Sequence, residues 1–380
     1  MSKISVVTTT IGIPKNLPEI YLNQIEHDHH DIHYYIVGDN KTPIPRVNKF
    51  LKKTIPKEDF TTLNMRTQKA WLKKNFGRKK GVEYERVFQE NNYQRRIIGF
   101  LMAKQDGAEK IIVVDDDNYP HPNDDFIGLY SDVVGNEDEH LVVTSESKYM
   151  DLLAVLKYKG KEDFRVYVRG YPVFLRGPRA IGFGTQICNP AVNIGLWEGS
   201  PDISALSRVA YGDPQIERNE AMYPIVVAPN EFTSMCMQNL CFDTDLLITQ
   251  YEFPMNVDIG GITIGRYDDI WGGYVCKKIL DLVDRAMTYG PPQAIHRRHI
   301  HDPKQDFIQE FWGLYLNDTF YSSINRMELT SKDPWSAFTE IIMRLMQDLK
   351  FFDSDLRDYF NRVWKDMHDW AIMNLELFGK

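Results

Sequence analysis

The chain has 380 residues, of which 43% are hydrophobic, and it carries a formal net charge of −8 at pH 7. This length provides for one large domain or two modest ones with an ample core. The negative charge argues against a general partnership with nucleic acid or anionic membranes. The sequence opens directly into a β-strand pattern without the apolar core of a signal peptide, and no apolar run approaches transmembrane length. We therefore expect no transmembrane segment.

The cysteine pattern bears on the cellular compartment. The cysteines stand in apolar surroundings and form no Cys-x-x-Cys pair: Cys188, Cys236, Cys241 and Cys276. Buried free thiols are a simpler interpretation than disulfides or zinc ligands. Because free thiols persist in a reducing environment, the sequence predicts a cytoplasmic protein.

Strands alternate with helices in the first third of the chain. Ile4–Thr10 and His33–Val37 have strand patterns, Asn92–Gln105 has a helical pattern, and Ile111–Val114 is a third strand. The β-branched run of this third strand is typical of a strand covered on both faces. The alternation predicts an α/β fold with a Rossmann-like, mostly parallel sheet flanked by helices. No Gly-x-Gly-x-x-Gly motif follows the first strand, so we expect neither flavin nor NAD as a cofactor.

Three carboxylates follow the third strand directly. They are Asp115, Asp116 and Asp117. The carboxyl ends of strands are where open α/β sheets bind ligands. Two Asp residues separated by one residue can share a divalent ion, and Mg²⁺ or Mn²⁺ prefers such oxygen ligands together with substrate phosphates. The sequence therefore predicts a metal–diphosphate site here, with a solvated turn as the alternative.

The pattern changes to helix from Trp335 onwards. Apolar residues recur there every three or four positions: Leu356, Phe360, Val363, Met367, Trp370 and Ala371. Such a stripe packs either on the core of the same chain or against another copy. The second alternative would make the protein a homo-oligomer.

Several segments, in order along the chain, resemble the reversibly glycosylated polypeptide family, whose members are also known as UDP-arabinopyranose mutases. The segments are Val114–Asp117, Val168–Pro172 with Leu175-Arg176, Gly195–Trp197 with Pro201-Asp202, Met235–Leu240 with Phe242-Asp243, and Ile264–Gly273. The acid triplet is common to many glycosyltransferases, whereas the Arg-Gly-Tyr-Pro and Gly-Arg-Tyr-Asp-Asp segments are more specific. The resemblance implies a glycosyltransferase-A-like nucleotide-sugar domain over residues 1–330 and a C-terminal helical extension over residues 331–380.

The resemblance also implies a site for a UDP-sugar and a divalent cation, Mn²⁺ or Mg²⁺. The metal ligands would be Asp115, Asp117 and His296, with His299 and His301 as competitors of His296 in the same segment. The residues that bind the nucleotide-sugar would be Thr10, Asp39, Arg96, Asp115, Asp116, Trp197, Asn239 and Trp271.

Simpler roles compete with some of these assignments. Asp39 could accept from uracil or ribose, or could only form a turn in Gly-Asp-Asn. Arg96 could pair with a phosphate or with Asp117, or form a structural salt bridge. The rings of Trp197 and Trp271 could stack on the sugar or lie in the core.

Four residues are catalytic candidates: Arg169, Arg176, Asp268 and Asp269. In the family, the arginine of Arg-Gly-Tyr-Pro is associated with self-glycosylation and the arginine seven residues later with activity. A guanidinium stays protonated and is a poor nucleophile, so we expect Arg169 to act first as a clamp on the diphosphate or the sugar. Arg176 could instead be a surface arginine. Asp268 and Asp269 would bond the sugar or act as a base, and Asp268 could instead be a helix N-cap.

Two reactions fit such a site. In a pyranose/furanose mutase, cleavage of the anomeric C–O bond would leave UDP at the site while the sugar reopens and recloses through a different oxygen. In a glycosyltransferase, the sugar would pass to a separate acceptor or to the protein itself. An inactive scaffold is the third alternative, and the intact acids argue against it. We expect the mutase, and the sequence does not identify the sugar.

Overall fold

The computed structural model describes residues 3–160, 166–177, 180–219, 222–299, 302–348 and 354–379. The strands are Ile4–Thr10 (β1), Ile32–Gly38 (β2), Phe60–Leu63 (β3), Lys110–Val114 (β4), Asn118–Tyr119 (β5), Asp138–Ser145 (β6), Tyr149–Met150 (β7), Ile181–Cys188 (β8), Pro190–Gly199 (β9), Ile225–Val227 (β10), Phe232–Thr233 (β11), Asn239–Asp243 (β12), Val257–Ile259 (β13), Ile262–Ile264 (β14) and Ala286–His296 (β15). The helices are Leu17–Glu26 (α1), Ile44–Leu51 (α2), Met65–Tyr84 (α3), Ile97–Gln105 (α4), Gly128–Ser131 (α5), Ala205–Tyr211 (α6), Asp268–Leu282 (α7), Pro303–Arg326 (α8), Pro334–Asp348 (α9) and Ser354–Phe378 (α10).

One large mixed sheet organises the molecule. Its order is β3-β2-β1-β4-β12-β9-β15-β10-β6-β8, and the short strand β5 pairs with β15. Strands β3, β2, β1 and β4 are all parallel, and β12 runs antiparallel between β4 and β9. Since β15 is parallel to β9, the carboxyl ends of β1, β2, β4, β9 and β15 share one edge of the sheet. The predicted α/β class, with a mostly parallel sheet flanked by helices and helices at the C-terminal end, is confirmed.

Glycine brings α4 close to the sheet. A Cβ atom on Gly99 would lie 2.8 Å from a methyl carbon of Val7 and 2.9 Å from one of Val37. The helix can therefore rest directly on β1 and β2 only because this position has no side chain. The predicted helix over residues 92–105 is observed as a 3-10 turn, Tyr93–Arg96, that continues into α4.

The apolar stripe of α10 is part of the core of the chain. All six of its members are buried in the main hydrophobic cluster: Leu356, Phe360, Val363, Met367, Trp370 and Ala371. The indole N–H of Trp370 also donates to the carbonyl of Ile248 at 2.9 Å. The stripe thus packs on its own chain, and its assignment to an oligomer contact is wrong. Homo-oligomer formation itself stays a prediction. Among the described helices, none has both the length and the apolarity that a membrane crossing needs.

A buried acid lies on the inner side of α10. The side chain of Asp366 is fully buried, and its Oδ1 lies 2.9 Å from Nε of Arg86. Burial raises the pKa of Asp366 to about 6, although Arg86 and Arg362 oppose this rise. The folded chain therefore ionises this carboxyl less readily than the unfolded chain does.

We predict that Asp366→Asn raises the free energy of unfolding at pH 8. A folded-state pKa above the ordinary value gives stability that is fully present at low pH and lost as the pH rises through about 6. The rise from 3.8 corresponds to at most about 3 kcal/mol. Urea unfolding at pH 4 to 8 should show a decline for the wild type and a smaller one for the variant. Asp369→Asn, which removes the other acid paired with Arg86, is the control and should lower stability. Identical pH profiles for Asp366→Asn and the wild type would contradict this assignment.

Candidate active site

Arg96 anchors the first acid of the triplet. One of its terminal nitrogens lies 2.8 Å from Oδ1 of Asp115 and also donates to the carbonyl of Met237 at 2.8 Å. Its Nε lies 3.0 Å from Oε1 of Glu252, whose side chain is fully buried. The expectation that Arg96 pairs with Asp117 is therefore wrong, and the predicted salt bridge joins it to Asp115 and Glu252 instead.

The carboxylates around Arg96 are short of positive charge. Burial raises the pKa of Asp115 to about 7 against the lowering effect of Arg96, and Asp117 and Asp116 raise it further. Burial also raises the pKa of Glu252 well above its ordinary value, because Arg96 only partly offsets the desolvation. Carboxylates in this condition are stabilised by any additional positive charge at the site.

The third acid of the triplet faces a histidine. Oδ2 of Asp117 lies 3.4 Å from Nε2 of His296, and both side chains are largely buried. Nδ1 of His296 lies 2.5 Å from the carbonyl oxygen of Ser200. Because a carbonyl only accepts, this nitrogen carries the hydrogen and Nε2 presents its lone pair when the ring is neutral. Burial raises the pKa of Asp117, but the hydrogen bond and charge of a protonated His296, together with His299 and the backbone N–H of Asp117, bring it below its ordinary value.

The sheet brings these two residues together. In the antiparallel pair of β5 and β15, Asn118 lies opposite His296. The amide of Asn118 donates to Oδ1 of Asp117 at 3.0 Å, so the carboxylate is oriented as well. A carboxylate oxygen and an imidazole nitrogen with a fixed tautomer are suitable ligands for Mn²⁺ or Mg²⁺, although the nitrogen favours Mn²⁺.

The three acids have three different partners rather than one. Thr10 donates its hydroxyl hydrogen to Oδ2 of Asp116, and Nε2 of His299 lies 3.4 Å from Oδ1 of Asp116. Asp115 is held by Arg96 and does not complete a ligand set with Asp117 and His296. Among the residues that the structure describes, no group of three His, Cys, Asp or Glu side chains is spaced to hold a metal ion. Residue 301, a competing histidine, lies outside the described residues.

Asp39 ends β2 at the same edge of the sheet. Its Oδ1 accepts from the backbone N–H of Asn40 at 2.6 Å. The backbone N–H of Asp39 donates to Oγ1 of Thr42 at 2.7 Å. Its Oδ2 lies 3.4 Å from Nε of Arg95. The turn geometry that competed with nucleotide recognition is therefore present. Contact of Asp39 with uracil or ribose stays a prediction.

Arg169 is enclosed by protein acceptors. Its Nε and one terminal nitrogen donate to the two oxygens of Asp202 at 2.9 and 2.7 Å. Its terminal nitrogens also donate to the two oxygens of Asp269, each at 3.0 Å, and to the carbonyl of Arg266. Every N–H of this buried guanidinium has an acceptor. The expectation that Arg169 clamps a diphosphate or a sugar is therefore wrong in this structure.

The acid pair at the start of α7 divides into two environments. Asp269 is bonded by Arg169 and accepts from the backbone N–H of Met237 at 3.2 Å. Burial raises the pKa of Asp268 to about 6, with Asp269 raising it and Arg96 and Arg169 lowering it. The N-cap of α7 is Tyr267, so the alternative role of Asp268 as the N-cap is wrong.

Three predicted binding residues lie in the core instead of at a surface. Trp197 and Trp271 are fully buried, and the ring of Trp271 stacks on Phe320 with 5.2 Å between centroids. Asn239 is also fully buried and donates to the carbonyl of Leu196 at 3.0 Å. The expectation that the tryptophans stack on a sugar is wrong, since neither ring has an exposed face, and Asn239 has a structural role.

Arg176 is separate from the acid cluster around Arg169. Its guanidinium lies over the ring of Tyr167, 5.3 Å from the centroid. Burial raises the pKa of Tyr267, and the positive charge of Arg176 opposes this rise. Arg176 therefore lies near Tyr267, at the start of α7.

Two acids of this region were not predicted as site residues from the sequence. Asp202 stands in a quoted family segment, and that was the only signal for it. Glu252 follows an apolar run and gave no signal at all. Both became evident only when the fold placed them against Arg169 and Arg96.

The structure thus defines an α/β protein with acids and a histidine gathered at the carboxyl edge of its sheet. The chain matches the family model described as reversibly glycosylated polypeptide over residues 50–377. It therefore belongs to the reversibly glycosylated polypeptide family, which confirms the prediction from the motifs.

Individual proteins show the same relationship. The chain is 27% identical over 277 residues to UDP-arabinopyranose mutase 2 of Arabidopsis thaliana, which covers 72% of this chain and 70% of the relative. It is 32% identical over 154 residues to probable UDP-arabinopyranose mutase 1 of Zea mays, which covers 40% of this chain and 38% of the relative.

Solved structures resemble the chain more distantly. A mannosyltransferase from Pyrobaculum calidifontis in complex with GDP-Man and Mn²⁺ gives a TM-score of 0.34 at 10% identity, over 98% of this chain and 87% of that chain. TarS 1–349 of S. aureus in complex with UDP gives 0.32 at 13% identity, over 97% of this chain and 89% of that chain. Likeness at this level carries no argument about function.

We predict that Arg169→Ala lowers the free energy of unfolding by about 3–5 kcal/mol, because it leaves Asp202 and Asp269 buried without their counter-charge. Chemical denaturation measures this loss. Adding Asp202→Asn to the Arg169→Ala variant should recover part of the lost free energy of unfolding, since one uncompensated charge is then removed. Arg176→Ala is the matched control and should cost less than about 1 kcal/mol. An Arg169→Ala protein as stable as the wild type would refute the structural role.

Proposed function

We propose that the protein is a metal-dependent mutase that interconverts the pyranose and furanose forms of a UDP-sugar. The observation that carries this proposal is the Asp117–His296 pair, in which an oxygen and a nitrogen ligand face each other at 3.4 Å. The pair lies at the carboxyl edge of the sheet, where open α/β proteins bind nucleotides. The relatives named UDP-arabinopyranose mutases support this class of reaction.

Asp117 and His296 would hold the cation, and substrate phosphates and water would supply its other ligands. When bound, the cation neutralises the diphosphate and stabilises the charge on the oxygen that leaves the sugar. Thr10 ends β1 and Asp39 directly follows β2 at the same edge, so they would line the place for the nucleoside. Arg96 keeps Asp115 in position beside this cation site.

The proposed reaction needs a group that moves a proton. The bond between the anomeric carbon and the UDP oxygen breaks, its electron pair stays on UDP, and the same bond re-forms at the end. In between, a sugar hydroxyl oxygen bonds to the anomeric carbon and loses its proton, while the bond from that carbon to the former ring oxygen breaks and this oxygen gains a proton. Asp268, buried at the start of α7 with a pKa of about 6, can accept this proton and return it.

Arg169 takes a supporting part in this scheme. It orients Asp269 beside Asp268 through the bonds described above. We do not assign it to sugar attachment, because its N–H groups are all bonded to protein and the guanidinium is buried.

Nuclear magnetic resonance of the sugar tests the reaction directly. UDP-arabinopyranose, UDP-galactose and UDP-glucose would each be incubated with the protein and Mn²⁺. A furanose signal without free UDP is the expected result for one of them and would identify the sugar. Release of free UDP in proportion to an added acceptor would establish glycosyl transfer in its place.

We predict that His296→Ala and Asp117→Asn each weaken Mn²⁺-dependent binding of UDP by about 10–100-fold, because each removes one ligand or its orientation. Isothermal titration calorimetry with UDP, in Mn²⁺ and in EDTA, measures the effect. His299→Ala removes an exposed histidine three residues further on and should change affinity less than about threefold. The cation assignment would be wrong if both site variants kept the full difference between Mn²⁺ and EDTA.

A further inference from the structure

One exposed aromatic side chain stands in an otherwise buried turn beside the acids. Within the 3-10 turn Tyr93–Arg96, the exposed fractions are 51% for Tyr93 and 0%, 1% and 4% for the three residues that follow. Large aromatic side chains contribute most when they are covered, so an exposed ring in a fixed position is a candidate for covering a ligand.

The turn that carries Tyr93 is anchored on both sides. Asn92 caps it by accepting from the N–H of Gln94 at 3.1 Å and donates to the carbonyl of Met255 at 2.7 Å. Gln94 donates to the hydroxyl of Tyr251 at 3.3 Å. The backbone of Tyr93 is therefore held by groups that do not depend on its own side chain.

The place of Tyr93 in the turn puts it beside the residues that hold the acids of the site. In a 3-10 helix, side chains three residues apart lie one above the other, so Tyr93 lies over Arg96. The guanidinium of Arg96 contacts Asp115 at the end of β4. Burial raises the pKa of the Tyr93 hydroxyl, Asp268 and Asp115 raise it further, and Arg266 and Arg96 lower it. Met237 links this position to the start of α7, because its carbonyl accepts from Arg96 and its N–H donates to Asp269.

We propose that Tyr93 stacks on the sugar ring of the nucleotide-sugar and holds it against Asp268. This rests on the proposed function, since it assigns the sugar end of that same site. The sugar is the part concerned because Tyr93 lies over Arg96, which contacts Asp115 and, through Met237, the start of α7. Arg95, on the same turn, instead pairs with Asp39 at the proposed nucleoside end. Tyr93 takes the role that the sequence suggested for Trp197 and Trp271, which the fold buries.

Calorimetry of Tyr93→Ala separates the sugar from the nucleotide. The variant should bind whichever of UDP-arabinopyranose, UDP-galactose and UDP-glucose the wild type binds most tightly about three- to tenfold more weakly in the presence of Mn²⁺, because a stacked ring is lost. It should bind UDP within about twofold of the wild type. Tyr93→Phe keeps the ring and should keep the affinity for the UDP-sugar. Tyr315→Ala, which removes another exposed ring, one packed on Phe311 and Trp312 of α8, is the matched control and should change neither affinity.

Three outcomes would overturn the proposal. Equal weakening of UDP and UDP-sugar would place Tyr93 at the nucleotide, and unchanged affinities would remove it from the site. Loss of affinity in Tyr93→Phe equal to that in Tyr93→Ala would show that the hydroxyl acts and not the ring. Binding of UDP-sugars by the wild type without turnover would refute the mutase proposal. The comparison of affinities would still decide whether Tyr93 contacts the sugar.

Discussion

A shortage of positive charge at the carboxyl edge of the sheet is the constraint on which the site depends. The buried or partly buried acids there are Asp115, Asp202, Glu252, Asp268 and Asp269, and the guanidiniums bonded to them are Arg96 and Arg169. Each arginine joins carboxylates from two separate parts of the chain, so it sets the distance between the elements that carry them. Because fewer cations than acids are present in this set, burial raises the pKa values of Asp115, Glu252 and Asp268. The bonds and charge of Arg169 instead lower the pKa of Asp202.

This arrangement gives each arginine a structural task and leaves the chemistry to other groups. Arg169 has no N–H left for a ligand, and Arg96 divides its bonds between Asp115, Met237 and Glu252. Asp117 and His296 are bonded to neither Arg96 nor Arg169 among the described contacts. Their Oδ2 and Nε2 atoms therefore keep lone pairs for a ligand. The same separation explains why Asp268, rather than the tightly bonded Asp269, is the acid suited to exchange a proton.

Much of the fold could be predicted because its signals are local. The β-branched run before Asp115 marked a strand covered on both faces, and the three-to-four spacing of the last helix marked its buried face. The partner choices could not be predicted in the same way. Nothing in the spacing of three adjacent acids tells which will meet Arg96, Thr10 or His296, since that depends on strand register. The tryptophans of the family segments looked like ligand contacts, but volume and apolarity placed them in the core.

The register between β5 and β15 has a consequence for the proposed cation site. Asp117 and His296 come from distant parts of the sequence and meet only when Asn118 lies opposite His296. A chain whose last strand has not docked holds two isolated ligands and no site, so affinity for the cation arises with the completed sheet. Conversely, any cation bound there favours the docked strand by mass action. Occupancy of the site would then report on the integrity of the whole sheet, from its first strands to its last.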